Sequence, residues 1–220
     1  MPNKKRILVV DDHPVFREGL VRVLNQEKDL QVAAEAASAP EALRAATAHH
    51  PDIAIVDISL EGASGLDLTH CLRQQAPELR ILVLSMHKET LHAERALRAG
   101  ANGYIMKNES GRQLLRAVRQ VLAGQTYVSE PMKERLLQKL SASPGERSQS
   151  PADLLSDREF EIFQLIGQGY GTRQIADQLH LSIKTVESHR EHIRDNLHIP
   201  STFELVQRAI HWIHSEKEAV

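Results

Sequence analysis

Five short apolar runs alternate with amphipathic stretches over roughly the first 125 residues, and this alternation most restricts how the chain can fold. The runs cover residues 7–10, 31–33, 53–57, 81–85 and 103–106. After each run, apolar residues recur at helical spacing. Continuous apolar runs are typical of strands buried on both faces of a sheet, and regular strand–helix alternation predicts parallel strands with helices on both sides. We therefore expect a doubly wound, five-stranded parallel α/β domain.

Polar side chains follow these runs at their carboxyl ends. Asp11 and Asp12 come after the first run, Asp57 closes the third, Ser85 closes the fourth and Lys107 follows the fifth. In an open α/β sheet these ends meet at the edge that binds ligands. Three carboxylates in one cleft repel one another unless a proton or a divalent cation lies among them. The pattern indicates a Mg²⁺ site with Asp57 as a phosphoryl acceptor, whereas a strand-end aspartate by itself indicates a turn or a helix cap.

Residues 5–125 resemble the receiver domain of two-component response regulators, which has a flavodoxin-like fold. The motifs that carry the resemblance are Asp11-Asp12-His13-Pro14, Asp57, Ser85-Met86-His87 and the segment 99–107. The resemblance implies that Asp57 is the phosphoacceptor. It also implies a Mg²⁺ site formed by Asp11, Asp12, Asp57 and the carbonyl group of Ser59.

The same resemblance implies a switch beside the acceptor. Ser85 and Lys107 would contact the phosphoryl group, and Tyr104 would move as the partner of Ser85. The alternative for Tyr104 is an ordinary core aromatic residue. Leu60-Glu61 stand where many receivers have Met-Pro, so the loop geometry next to Asp57 and the lifetime of its phosphoryl group are left open.

A polar stretch with two prolines, residues 141–151, separates the α/β pattern from a helical one. The preceding residues 132–140 predict a short amphipathic helix. We therefore divide the chain into a receiver domain at residues 1–125, a linker with a short helix at 126–153, and a small all-α domain at 154–220.

Four short helices are predicted in the last domain. Their predicted N-caps are Ser156, Thr172, Ser182 and Ser201, of which the first and last begin capping boxes. The segments 172–179 and 183–197 have the proportions of a helix-turn-helix motif.

Residues 154–215 resemble the LuxR/FixJ-type DNA-binding domain. The matching residues are Leu155-Ser156-Asp157-Arg158-Glu159, Gly169, Ile175-Ala176, Leu179, Leu181-Ser182 and Lys184-Thr185-Val186-Glu187-Ser188-His189. The resemblance implies that the second helix of the motif enters the major groove. Glu187, Ser188 and Glu191 would approach base edges, while Lys184, Thr185, Arg190 and Arg194 would contact phosphates. A solvated helix face is the alternative interpretation.

The charge of this domain is unusual for a DNA-binding module. Residues 151–220 contain seven basic and eleven acidic side chains. Because phosphate neutralisation provides much of the affinity for DNA, we expect a single copy to bind weakly. Two copies that read an inverted repeat would couple their binding energies, so the sequence favours a homodimer promoted by phosphorylation.

The two resemblances together imply a transcriptional response regulator rather than a turnover enzyme. A sensor histidine kinase would phosphorylate Asp57 with Mg²⁺, the protein would slowly lose this phosphoryl group, and the dimer would bind double-stranded DNA; RNA polymerase is a further candidate partner. A single cysteine, Cys71, and the absence of an apolar run near the ~20 residues of a membrane span favour a cytoplasmic protein without a membrane partner.

Three other functions share some of these features. A Mg²⁺-dependent aspartyl phosphohydrolase would also use Asp57, but its pattern needs a second aspartate where Ser59 stands. A flavodoxin-like cofactor binder conflicts with the negative charge of Asp11 and Asp12. A DNA-binding regulator that dimerises independently of phosphorylation is the nearest alternative.

Two histidine pairs have the i, i+3 spacing that can bring imidazoles together on a helix. They are His189 with His192, and His211 with His214. The sequence shows no third ligand close to either pair, so it favours packing and solvent-exposed roles over metal binding.

Overall fold

The computed structural model describes residues 4–60, 63–86, 89–141 and 151–218. The chain divides into two compact units, Met1–Ala142 and Ser143–Val220. Within the described segments, every helix is too short or too polar to cross a bilayer.

The first unit contains a five-stranded sheet and six helices among its described residues. The strands of the unit are β1 (Lys5–Val10), β2 (Leu30–Ala36), β3 (Ile53–Asp57), β4 (Ser59–Leu60), β5 (Ala63–Ser64), β6 (Arg80–Ser85) and β7 (Gly103–Met106). The helices are α1 (Pro14–Asn25), α2 (Ala39–His49), α3 (Gly65–Gln75), α4 (Glu89–Arg98), α5 (Gly111–Leu122) and α6 (Glu130–Ser141).

The large sheet has the strand order β2-β1-β3-β6-β7 and is parallel throughout. The predicted doubly wound fold is therefore confirmed. The central strand β3 places Val56 opposite Val10 on one side and opposite Val83 on the other. Its last residue, Asp57, consequently emerges between the carboxyl ends of β1 and β6.

The two faces of the sheet bury alternate residues of each apolar run. Ile7, Val9, Ile53 and Ile55 belong to the core that α1 and α5 cover. The residues between them face a second core, to which α2, α3 and α4 contribute. Burial on both faces explains why these strands read as continuous apolar runs.

A tight contact joins the end of β3 to the start of α3. The N–H group of Gly65 donates to the carbonyl oxygen of Ile58 at 2.8 Å. A Cβ atom at Gly65 would lie 1.9 Å from the Asp57 carbonyl oxygen, so only glycine allows this approach. Between these residues, β4 and β5 form a two-stranded antiparallel ladder, Ser59 opposite Ser64. Leu60 is buried, and Glu61 lies outside the described residues.

Helix α6 belongs to the first unit, although the sequence places it in the linker. Val128 and Met132 are buried in the core formed with α2, α3 and α4. The domain limits 1–125, 126–153 and 154–220 stay predictions.

The second unit is all-helical in its described part. Its helices are α7 (Pro151–Leu154), α8 (Asp157–Gly167), α9 (Thr172–Gln178), α10 (Ile183–Asn196) and α11 (Thr202–Glu218). Phe160 and Phe163 of α8 are fully buried in the hydrophobic core of this unit. Trp212 of α11 packs edge-on against Phe160, with ring centroids 5.2 Å apart. The helix-turn-helix pair is α9 and α10.

Most of the predicted caps in this unit are observed. Ser156 and Glu159 form a capping box at the start of α8. Ser182 Oγ accepts from the Thr185 N–H group at 3.0 Å, and Ser201 Oγ accepts from that of Glu204 at 3.2 Å. The prediction for Thr172 is wrong, because Gly171 is the N-cap of α9 and its N–H group donates to Gln174 Oε1 at 2.9 Å.

The crossing of α8 and α11 makes a testable prediction. A Cβ atom at Gly167 would lie 2.5 Å from the Ala209 carbonyl oxygen. We expect Gly167→Ala to destabilise the second unit by about 1–3 kcal/mol, because backbone would have to move. Urea unfolding followed by the fluorescence of Trp212, the one tryptophan, measures this. Gly19→Ala in α1, where nothing lies within 4 Å, should leave the Trp212 transition unchanged; an unchanged midpoint for Gly167→Ala would contradict the prediction.

Candidate functional site

The ammonium group of Lys107 lies between two buried carboxylates at the carboxyl edge of the sheet. Lys107 Nζ is 2.6 Å from Asp57 Oδ2 and 2.8 Å from Asp11 Oδ2. Both aspartates are almost fully buried. The ring of Phe16 lies below the ammonium group, 4.6 Å from Nζ to the ring centroid, which is within cation–π range. The sequence prediction that these three polar residues converge is thus seen in the structure.

Asp12 and His13 complete the rim of this acidic pocket. His13 Nδ1 is 2.7 Å from Asp12 Oδ1 and 4.0 Å from Asp57 Oδ2. The N–H group of His13 donates to Asp11 Oδ1 at 2.9 Å. The sequence shows His13 only as part of the Asp11-Asp12-His13-Pro14 motif, and its position directly after two aspartates is the signal that could have identified it. His87, from the Ser85-Met86-His87 motif, lies outside the described residues.

Burial determines the acidity of Asp57. Removal from water raises the pKa of its carboxyl group to about 6, while Lys107 opposes this rise and Asp11 adds to it. Ser59 donates its N–H group to Asp57 Oδ1 at 3.2 Å. Near neutral pH the carboxylate therefore remains mostly ionised and is held in one orientation.

Ser85 and Tyr104 lie next to each other in the interior. Both are fully buried, and their side chains share a hydrogen bond. The pKa of the Tyr104 phenol is raised mainly by burial, so the group is neutral. The Ser85 carbonyl oxygen accepts from the Lys107 N–H group at 2.7 Å. This bond ties the end of β6 to the residue that contacts Asp57.

The donor set of the pocket suits a hard divalent cation. Asp11, Asp12, His13 and Asp57 can each offer a ligand atom, all within 4.8 Å of one another. The buried Asp11 Oδ2 has Lys107 Nζ beside it at 2.8 Å. Carboxylate oxygens are the ligands that Mg²⁺ prefers, so the residues fit this ion.

Helix α10 presents most of the predicted DNA contacts on one side. Lys184, Glu187, Ser188 and Glu191 are exposed, whereas Val186 and Ile193 face the core. Thr185, Arg190 and Arg194 are partly buried. Arg190 Nη1 donates to Thr172 Oγ1 at 3.4 Å, which links α10 to the first helix of the motif. The DNA-contact roles of these seven residues stay predictions.

Two family models match the chain. Residues 7–119 match the response regulator receiver domain, and residues 153–209 match the bacterial regulatory proteins of the luxR family. The matched segments lie one in each structural unit. They contain the acidic pocket and the helix-turn-helix pair respectively.

Individual proteins are similar over most of their length. The oxygen regulatory protein NreC of Staphylococcus carnosus is 39% identical over 209 residues, covering 93% of this chain and 96% of that protein. A LuxR-family two-component response regulator from Aurantimonas sp. SI85-9A1 is 35% identical, with a TM-score of 0.59 over 64% of this chain and 100% of that one. The response regulator ChrA of a heme-sensing two-component system is 30% identical, with a TM-score of 0.51 over 95% and 98%.

The raised pKa of Asp57 predicts a pH-dependent stability without Mg²⁺. The Asp57 carboxyl group holds its proton more tightly in the folded protein than in the unfolded chain, so stability falls as pH rises from about 4 to about 6. The loss should be about 3 kcal/mol and be complete above the folded pKa. Asp57→Asn removes the titrating carboxyl group. The free energy of unfolding of the variant, relative to that of the parent, should therefore increase by that amount between pH 4 and pH 7, as measured by urea unfolding.

Asp29→Asn is the control of opposite sign. The Arg119 hydrogen bond lowers the pKa of Asp29, so its stabilisation is present above about pH 4 and disappears as pH falls. A constant difference between Asp57→Asn and the parent across this range would contradict the prediction.

Proposed function

Because the chain belongs to the family of two-component response regulators with a receiver domain and a LuxR-type helix-turn-helix DNA-binding domain, we propose that a sensor histidine kinase phosphorylates it on Asp57. The supporting observation is the contact of Lys107 Nζ with Asp57 at 2.6 Å and with Asp11 at 2.8 Å. This arrangement provides a nucleophilic carboxylate, a cation for phosphoryl oxygens and an acidic pocket. The family comprises DNA-binding regulators rather than turnover enzymes.

The proposed reaction transfers one phosphoryl group. An Asp57 carboxylate oxygen attacks phosphorus, the P–N bond to the kinase histidine breaks, and its electron pair stays on the imidazole. Asp11, Asp12, Asp57 and the Ser59 carbonyl group would hold Mg²⁺, which neutralises charge between the carboxylates and the phosphoryl oxygens. Lys107 and the Ser85 hydroxyl group contact the same oxygens. Ionised Asp57 is the competent form, and water later releases the phosphoryl group.

In the proposed switch, the phosphoryl group takes over contacts that Ser85 and Lys107 make with other residues before phosphorylation. Ser85 shares a hydrogen bond with Tyr104 before phosphorylation, and Lys107 contacts both carboxylates. Redirecting Ser85 and Lys107 to the phosphoryl group changes the surroundings of Tyr104. A shift from 1% to 99% of the active state needs roughly 5.5 kcal/mol of differential stabilisation, of which homodimerisation supplies a part.

The second unit acts as the output. Lys184, Thr185, Arg190 and Arg194 contact phosphates, and Glu187, Ser188 and Glu191 approach base edges of double-stranded DNA. Because the unit is acidic overall, a phosphorylation-promoted homodimer on an inverted repeat provides the affinity. Such a regulator works in the cytoplasm with the chromosome, and RNA polymerase is its expected further partner.

Phosphorylation can be tested with labelled acetyl phosphate and Mg²⁺. The parent protein should be labelled, and Asp57→Asn should lose the label because the amide is not a nucleophile. Asp52→Asn is the matched control: it lies at the opposite end of β3, where it binds Lys5 and Arg6, and it should keep the label. Equal labelling of Asp57→Asn and the parent would exclude Asp57 as the acceptor.

DNA selection with and without beryllofluoride tests the output. We expect the phosphoryl analogue to increase affinity for an inverted repeat. Lys184→Ala should then weaken binding to all sequences and reduce the slope of log K against log salt by about 1. Arg208→Ala removes the same charge from an exposed position of α11 and should have a smaller effect. An affinity unchanged by beryllofluoride would favour the regulator that dimerises without phosphorylation.

A further inference from the structure

Glu159, His189 and His192 form a cluster in the second unit, whereas the acidic pocket belongs to the first. Glu159 belongs to the first turn of α8, and the two histidines lie three residues apart on α10. Each can offer one ligand atom, and these atoms all lie within 4.8 Å of one another. The sequence does not reveal this group, because Glu159 stands thirty residues before His189.

The carboxylate of Glu159 is fixed by helix-end hydrogen bonds. Its Oε2 atom accepts from the Ser156 N–H group at 2.9 Å and from Asn196 Nδ2 at 3.2 Å. The side chain is only 9% exposed. The other oxygen, Oε1, is directed to His192 Nδ1 at 3.8 Å. One carboxylate oxygen is thus held by the ends of two helices while the second faces the imidazole.

His189 supplies the observation that points to a ligand. Its Nδ1 atom is buried and has no hydrogen-bond partner among the described residues. Leaving a buried polar atom without a partner is unfavourable, because its interaction with water is lost and not replaced. Burial also lowers the pKa of His189, so the ring is neutral and keeps a lone pair. A simple ion pair between Glu159 and His192 would leave His189 Nδ1 without a partner. Because the His192 side chain is 61% exposed, that ion pair would also contribute little to stability.

We propose that Glu159, His189 and His192 bind a divalent transition-metal ion of the Zn²⁺ class, which joins α10 to α8. Two imidazoles and one carboxylate are a donor set that such ions accept, with a further position left for water. Metal–ligand distances near 2.0–2.2 Å place ligand atoms roughly 3.4 Å apart. The exposed His192 side chain can turn to close the remaining distance. The ion would add positive charge to the acidic unit that carries the motif helix.

The test uses the full-length protein with excess Mg²⁺ to occupy the acidic pocket. Calorimetric titration with Zn²⁺ should show one equivalent bound, and Co²⁺ should give a visible absorption band. His192→Ala should weaken binding at least as much as the roughly 10- to 100-fold lost with an outer-shell partner. His214→Ala is the matched control, since no described carboxylate joins His211 and His214, and it should bind like the parent.

NMR of the parent protein provides a second measurement if His192→Ala fails to fold. In NMR spectra of the parent, Zn²⁺ should shift the ring signals of His189 and His192 together. Equal Zn²⁺ affinity for His192→Ala and the parent would overturn the proposal. Binding that is lost in Asp12→Asn but kept in His192→Ala would overturn it as well, because the ion would then lie in the acidic pocket.

Discussion

The contact of Lys107 with Asp11 and Asp57 is the interaction on which the proposed function of the first unit depends. Two buried carboxylates so close together repel each other, and removal from water raises the pKa of Asp57 to about 6. The Lys107 ammonium group, held by both carboxylates and by the Phe16 ring, offsets part of this cost. The pocket therefore keeps the Asp57 carboxylate ionised near neutral pH, at the expense of stability.

The fold explains why these residues meet. The central strand β3 ends at Asp57, and its neighbour β6 ends at Ser85, while Asp11 directly follows its other neighbour, β1. Gly65 allows α3 to start directly beside Asp57. Strong burial on both faces of the sheet fixes the strands, so the polar residues at their ends have little freedom. The same edge thus combines a rigid frame with the small set of side chains that, in the proposed switch, respond to the phosphoryl group.

In the second unit the capping residue Glu159 makes an additional contact with a second helix. Glu159 completes the capping box of α8 and also accepts from Asn196 near the end of α10. This carboxylate connects the frame of the unit to the helix that is proposed to read DNA. The Asn196 side chain donates to Glu159 Oε2 at 3.2 Å and so links the end of α10 to the start of α8.

Much of the architecture follows from the sequence alone. Continuous apolar runs that alternate with helical spacing predicted the parallel doubly wound class. Short polar residues at helix starts predicted most N-caps and the limits of the helix-turn-helix pair, because these features depend on local chain geometry. Thr172 was misassigned because a glutamine side chain caps the preceding glycine, a contact that competes with the local preference. Tertiary structure alone decided the distances within the acidic pocket, the shared hydrogen bond of Ser85 and Tyr104, and the meeting of Glu159 with His189 and His192. These depend on packing between segments far apart in the chain, which periodicity and local propensity do not encode.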